Sequence, residues 1–127
     1  MKAITEDYVS YEIAKLLKEK GFDVYGDGSY NSGIEIYKEY SPNGKLNSCA
    51  TSKPNKKAYP APTLQMAMKW LREEKNIIIN MWYNGVDWDA EHYNNDDENF
   101  YLITNYSCNS YEEAVEAALK YCLENLI

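Results

Sequence analysis

Asp87, Asp89 and Glu91 stand at alternate positions, and His92, the only histidine of the chain, follows at once. Alternate residues of a strand share a face, so the three carboxylates are set side by side with three chemistries open to them. Acid–base work of the glycosidase kind needs two carboxyl groups with separated pKa values, and nothing around these positions suggests the apolar pocket that would raise one of them. A calcium loop of EF-hand type also begins with alternating acids, but its sharp turn needs glycine at the sixth position, where His92 stands. A small hydrolase with a Cys–His or Ser–His pair would have to use His92. The plainer reading is a solvated strand face for the carboxylates and a structural place for His92 at the rim of the core, opposite Ile77.

Other residue groups point to chemistry less directly. Gly26-x-Gly28 has its third glycine at Gly33, two residues too far for a dinucleotide fingerprint, and no helix follows to receive a phosphate. Cys49, Cys108 and Cys122 are odd in number and form no C-x-x-C pair, which argues against a disulfide framework or a structural zinc site. Residues 41–72 hold Lys45, Lys53, Lys56, Lys57, Lys69 and Arg72 with no acid, while residues 76–119 hold nine acids with no base. The basic segment, with Trp70 among its cations, would supply phosphate contacts and base stacking to a nucleic acid. Against that stands a net charge of −7 over the whole chain, an unfavourable field for a polyanion. No metal, cofactor or catalytic residue follows from any of these groups.

The elements that must position these residues are legible from periodicity. At 127 residues, 45% apolar and 26% charged, the chain is expected to form one α+β domain over 1–127. Its longest aliphatic run is Ile77-Ile78-Ile79, and its first residues carry no apolar leader, so a cytoplasmic protein with no membrane segment is expected. Helices are predicted over about 8–20, 63–75 and 111–126. Val9, Ile13, Leu16 and Leu17 stripe the first, which Gly21 stops. Leu64, Ala67, Met68 and Leu71 stripe the second, and Ala114, Val115, Ala118, Cys122 and Leu126 the third. Thr63 is a fit N-cap, and Ser110 with Glu113 reads as a capping box. Pro60 and Pro62 keep the approach to the second helix extended.

Two hairpins lie between the helices. Ile34–Tyr40 alternates, turns at Ser41-Pro42-Asn43-Gly44 and returns over about 46–51. The second turns at Asn84-Gly85, the preferred type I′ dipeptide. A two-residue loop there sets Trp82 opposite Asp87 and Met81 opposite Trp88. It collects Ile77, Ile79, Met81, Tyr83, Val86, Trp88 and Ala90 on a core face, and Ile78, Asn80, Trp82, Asp87, Asp89 and Glu91 on a wet one. Phe100–Tyr106 reads as one further strand. The expected fold is a mainly antiparallel sheet of two hairpins plus that extra strand, with three helices packed on it. The 13 tyrosines, against only 2 phenylalanines, suit half-buried strands of this kind.

The three helix starts share a pattern. Ser10-Tyr11-Glu12-Ile13-Ala14, Thr63-Leu64-Gln65-Met66-Ala67 and Ser110-Tyr111-Glu112-Glu113-Ala114 each run hydroxyl, apolar or aromatic, Glu or Gln, any residue, Ala. A capping hydroxyl and a small residue for close packing account for it without internal duplication, since no fixed period links the three.

The stretch Ala61–Ile77, with its Pro-Thr-Leu-Gln-Met-Ala-Met-Lys-Trp-Leu-Arg-Glu core, resembles the central signature of a group of small phage and prophage proteins frequent in gut Bacteroidetes. Tyr8–Phe22 resembles the opening helix of that group and Ser110–Leu119 its closing one. The resemblance covers about a third of the chain and brings no activity, cofactor or catalytic residue with it. It implies an accessory protein of a mobile element, at work inside a bacterial host. The leading expectation is a non-enzymatic protein-binding module that meets a host or phage protein, or a second copy of itself as a weak homodimer. Two surfaces are its candidates, the Trp82, Asp87, Asp89 and Glu91 hairpin face and the Lys53, Lys56 and Lys57 loop. Nucleic-acid binding through residues 41–72 and a small enzyme built on His92 or the acidic hairpin are the alternatives.

Overall fold

A computed structural model of the protein describes residues 4–22, 38–48, 57–94, 98–103 and 108–127. The elements follow in the order α1 (Tyr11–Glu19), β1 (Lys38–Tyr40), β2 (Leu46–Ser48), β3 (Tyr59–Ala61), α2 (Leu64–Lys75), β4 (Ile77–Tyr83), β5 (Trp88–Asn94), β6 (Asn99–Leu102) and α3 (Tyr111–Asn125). The glycine-rich stretch over 26–33, the expected strand residues 34–37, Cys49, Lys53, Lys56, Asp96, Asp97 and residues 104–106 lie outside the described residues.

The class is α+β with three helices, as the periodicity implies. The strands, however, form two antiparallel sheets of three instead of one sheet, in the orders β2-β1-β3 and β4-β5-β6. Each hairpin has gained a strand of its own. The addition to the first is β3, where Tyr59 pairs with Tyr40, Pro60 with Glu39 and Ala61 with Lys38. Proline cannot donate to a ladder and is tolerated on a sheet edge. This is why a segment rich in proline reads as a mere approach to α2 and yet serves as an edge strand.

The helix starts are set by their hydroxyls. Ser10, Thr63 and Ser110 lie in extended backbone, and their side-chain oxygens accept from the amides of Ile13 at 3.3 Å, Met66 at 3.2 Å and Glu113 at 3.1 Å. Ala14, Ala67 and Ala114, four residues into each motif, have no exposed surface. The shared pattern thus caps three helices and lets each approach its neighbours closely. Of the capping box at Ser110 only this half is formed among the described residues. At the end of α1, Gly21 takes φ 103°, with its amide on the Lys18 carbonyl at 3.2 Å and the Phe22 amide on Leu17 at 2.8 Å. That double bond pattern is the Schellman stop, and it drives Phe22 back into the core.

Val9, Ile13, Leu17, Leu71, Val115, Leu119, Cys122 and Leu123 are wholly or almost wholly buried, and one core joins the three helices to both sheets. Ala67 and Leu71 lie where the α2 stripe puts them. Met81 is only partly buried at the margin of this core. Trp70 packs edge-on against Phe22 at 5.5 Å, with Lys75 Nζ 5.5 Å from its ring centre. Among the described residues no helix is long and apolar enough to cross a membrane.

Candidate protein-interaction surface

The acidic hairpin is built by β4 and β5, and its register differs from the two-residue-loop expectation. Tyr83 pairs with Trp88, Trp82 with Asp89, Met81 with Ala90, Asn80 with Glu91 and Ile79 with His92. The cause is Asn84. Its Oδ1 accepts from the amides of Val86 at 2.9 Å and Asp87 at 2.8 Å, while its own amide bonds the Asp87 carbonyl at 3.0 Å. This Asx turn takes four residues, Asn84 to Asp87, into the loop. The shift is two residues, so every side chain that stays paired in β4 and β5 keeps its expected face. Val86 and Asp87 change role, from strand residues opposite Tyr83 and Trp82 to the last two residues of the turn, and Val86, expected on the core face, is 78% exposed.

The helices cover one face of this sheet. Trp88 meets Tyr111 edge-on at 5.1 Å, and His92 stacks on Tyr121 of α3 at 5.8 Å and on Tyr101 of β6 at 5.3 Å. His92 is only 5% exposed and is paired with Ile79, farther into the sheet than the rim position opposite Ile77. The opposite face carries three rows. Ile78, Tyr93 and Phe100 form the first, Asn80, Glu91 and Leu102 the second, and Trp82 with Asp89 the third. Tyr93 and Phe100 touch with ring centres 4.8 Å apart. Phe100 and Leu102 are 57% and 54% exposed. Tyr93, Phe100 and Leu102 belong to the surface although the hairpin alone does not announce them. The signal is the alternation of Phe100 and Leu102 in the following strand.

The carboxylates of this face are held by neutral groups. Asn80 Nδ2 donates to Glu91 Oε1 at 2.9 Å and Asn84 Nδ2 to Asp89 Oδ2 at 2.8 Å. The three strands contain no lysine or arginine. An amide orients a carboxylate without neutralising it, so the face presents fixed negative charge around an apolar centre.

The basic segment is spread over several elements. Lys45 lies in the β1–β2 turn, Lys57 before β3, and Lys69 and Arg72 on α2, all exposed. Lys57 is the one member of the expected Lys53, Lys56 and Lys57 loop that the structure describes.

The two described cysteines are placed unfavourably for nucleophilic chemistry. Cys122 is fully buried, which pushes its thiol up to about 12. Cys108 is raised by burial first, and then by the carboxylates of Glu113, Asp89 and Asp87. A thiol nucleophile needs the opposite shift. A cleft of about 1080 Å³ opens where the helix starts meet, lined by Glu6, Asp7, Lys38, Tyr40, Glu113 and Glu116 among others. Two of its groups are engaged structurally. Glu116 accepts from the Ser10 amide at 2.8 Å and the Ser10 hydroxyl at 2.9 Å. Tyr40 donates to the Val9 carbonyl at 2.8 Å, its phenol raised by burial and then by Glu116. Among the described residues no three His, Cys, Asp or Glu side chains are grouped to hold a metal ion.

No family model, curated protein or solved structure matches the chain.

Proposed function

We propose that this domain is a non-enzymatic protein-binding module whose docking surface is the face of the β4–β6 sheet that the three helices leave open. Trp82, Ile78, Tyr93, Phe100 and Leu102 supply its apolar centre, and Asp89 and Glu91, with Asp87 at the turn, its acidic side. The partner is a protein surface carrying lysine or arginine around an apolar contact. The single observation that carries this reading is an aromatic and aliphatic sheet face, left open by all three helices, on which Asp89 and Glu91 are oriented by asparagine amides and, among the described residues, by no cation. Binding surfaces combine such aromatic anchors with a polar rim, and charge complementarity selects the partner. The resemblance to phage and prophage proteins supports an accessory role in an infected bacterial cell, with a host or phage protein as partner.

The test is capture from bacterial host lysate by wild type, Trp82→Ala and Asp89→Lys/Glu91→Lys, each verified as folded by circular dichroism. Wild type is expected to retain a protein at low salt and release it at high salt, and both variants to lose it, since exposed charge pairs are screened within about 8 Å at physiological ionic strength. Equal capture by all three, or none by wild type, would overturn the proposal.

A further inference from the structure

β6 ends the described order of its sheet, β4-β5-β6. The Ile103 amide bonds the Ala90 carbonyl at 2.9 Å, and this fixes which backbone groups of β6 face inward. In an antiparallel ladder the bonded pairs alternate with non-bonded ones. The pairs 90–103, 92–101 and 94–99 are therefore the bonded ones, and the pairs 91–102 and 93–100 are not. Phe100 and Leu102 direct their N–H and C=O groups away from β5. Their side chains are also open, at 57% and 54% exposure, and Tyr101, stacked on His92, is 44% exposed. Phe100 and Leu102 thus stand on an edge where their outward backbone groups have no partner among the described residues.

Edges of this kind are normally blunted by lysine, proline, a bulge or a covering element. Asn99-Phe100-Tyr101-Leu102-Ile103 contains no charge and no proline, in a chain that is 26% charged. The edge is also complementary to itself. A twofold axis through Tyr101 sets Phe100 opposite Leu102 of a second copy on both sides of the axis. The outward groups then form bonded pairs, each exchanging two N–H···O bonds. Apolar side chains meet apolar side chains on both faces of the seam.

We infer that two copies of the chain join through antiparallel pairing of their β6 strands, making one six-stranded sheet. The net charge of −7 on each copy opposes association only weakly at the seam. The two Glu91 side chains would lie three strand spacings apart and two residues offset along the strands, roughly 16 Å, beyond the Debye length of about 8 Å at physiological salt. Salt therefore strengthens this dimer, whereas it weakens docking of a basic partner on the open face, and the two proposals stand or fall separately. A seam one strand wide is at the low end of specific interfaces, below roughly 1,200 Å² in total, so the dimer is a weak one.

Sedimentation of the wild-type chain over a concentration series reaching the high micromolar range, at low and high ionic strength, tests this. A monomer–dimer equilibrium that tightens with salt is expected. Leu102→Pro removes the outward amide without touching a bond to β5, and it should raise the dimer dissociation constant by more than about tenfold. Phe100→Lys, which adds an edge charge and leaves the backbone intact, should do the same and covers the case in which the proline variant misfolds. Trp82→Ala, on the face and away from the seam, should leave the dimer intact. Amide hydrogen exchange reads the seam directly: Phe100 and Leu102 should gain protection as concentration rises, while Tyr101 is protected throughout. A wild-type chain that stays monomeric, or a dimer that survives both Leu102→Pro and Phe100→Lys, would overturn the inference.

Discussion

Cys122 lies on the inward face of α3 with no exposed surface, and burial lifts its thiol from an ordinary 9.0 to about 12. The folded chain therefore holds this proton at a pH where the unfolded chain has released it. Its contribution to stability is complete below about pH 9 and is lost as pH rises from there towards about 12, at a limiting slope of about 1.4 kcal/mol per pH unit. Tyr40 and Cys108 are raised as well and act in the same direction. Denaturant unfolding followed from neutral to alkaline pH should show this decline, and Cys122→Ala should flatten it by one group's share. A profile identical in the variant would contradict the burial of this thiol. The inward place of Cys122 is legible from its spacing with Ala114, Val115 and Ala118. The depth of His92 is not, because it depends on how many residues Asn84 draws into a turn.

Among the elements, α2 gives the sharpest stability test. Leu71 is fully buried between α2 and the core, and Leu71→Ala should cost about 2–5 kcal/mol if the cavity stays open. The midpoint of urea unfolding measures it, and an unchanged midpoint would mean that α2 buries another face. The helices are legible because each carries local instructions: a hydroxyl at the cap, an apolar stripe and, for α1, a glycine stop. The strands are less so. Alternation places every side chain of β4 and β5 on its proper face, yet the register moves by two, since the Asx turn at Asn84 competes with the type I′ turn suggested by Asn-Gly. The strand β3 is hidden by its proline, and the separation into two sheets is a tertiary outcome with no local signal. The open face is half legible. Trp82, Asp89 and Glu91 follow from the hairpin, whereas Tyr93, Phe100 and Leu102 join only when β6 is laid beside β5.

At the scale of the whole molecule, the first and last helices are tied together. Glu116 on α3 takes both the amide and the hydroxyl of Ser10, and Lys120 pairs with Glu12 at 3.0 Å. The Ser10 and Glu12 contacts both lie in the first turn of α1 or at its cap. Glu116→Ala should lower stability by about 1–2 kcal/mol through the loss of two hydrogen bonds to a carboxylate, with Glu116→Gln intermediate because it keeps one acceptor. Thermal melts of the two variants against wild type measure this, and equal melting temperatures would show that packing alone holds α1 to α3.

The Ser10–Glu116 clasp spans 106 residues, and Val115, Leu119, Cys122 and Leu123 close the core from the far end of the chain. A nascent chain emerging from the ribosome meets α1 first and must hold it, with its apolar stripe uncovered, until α3 has been made. Loop closure over such a separation has to be completed before the contacts that reward it exist. Folding of this domain is therefore completed only after synthesis of α3, and in the interval the apolar stripe of α1 lacks the α3 side chains that complete its core.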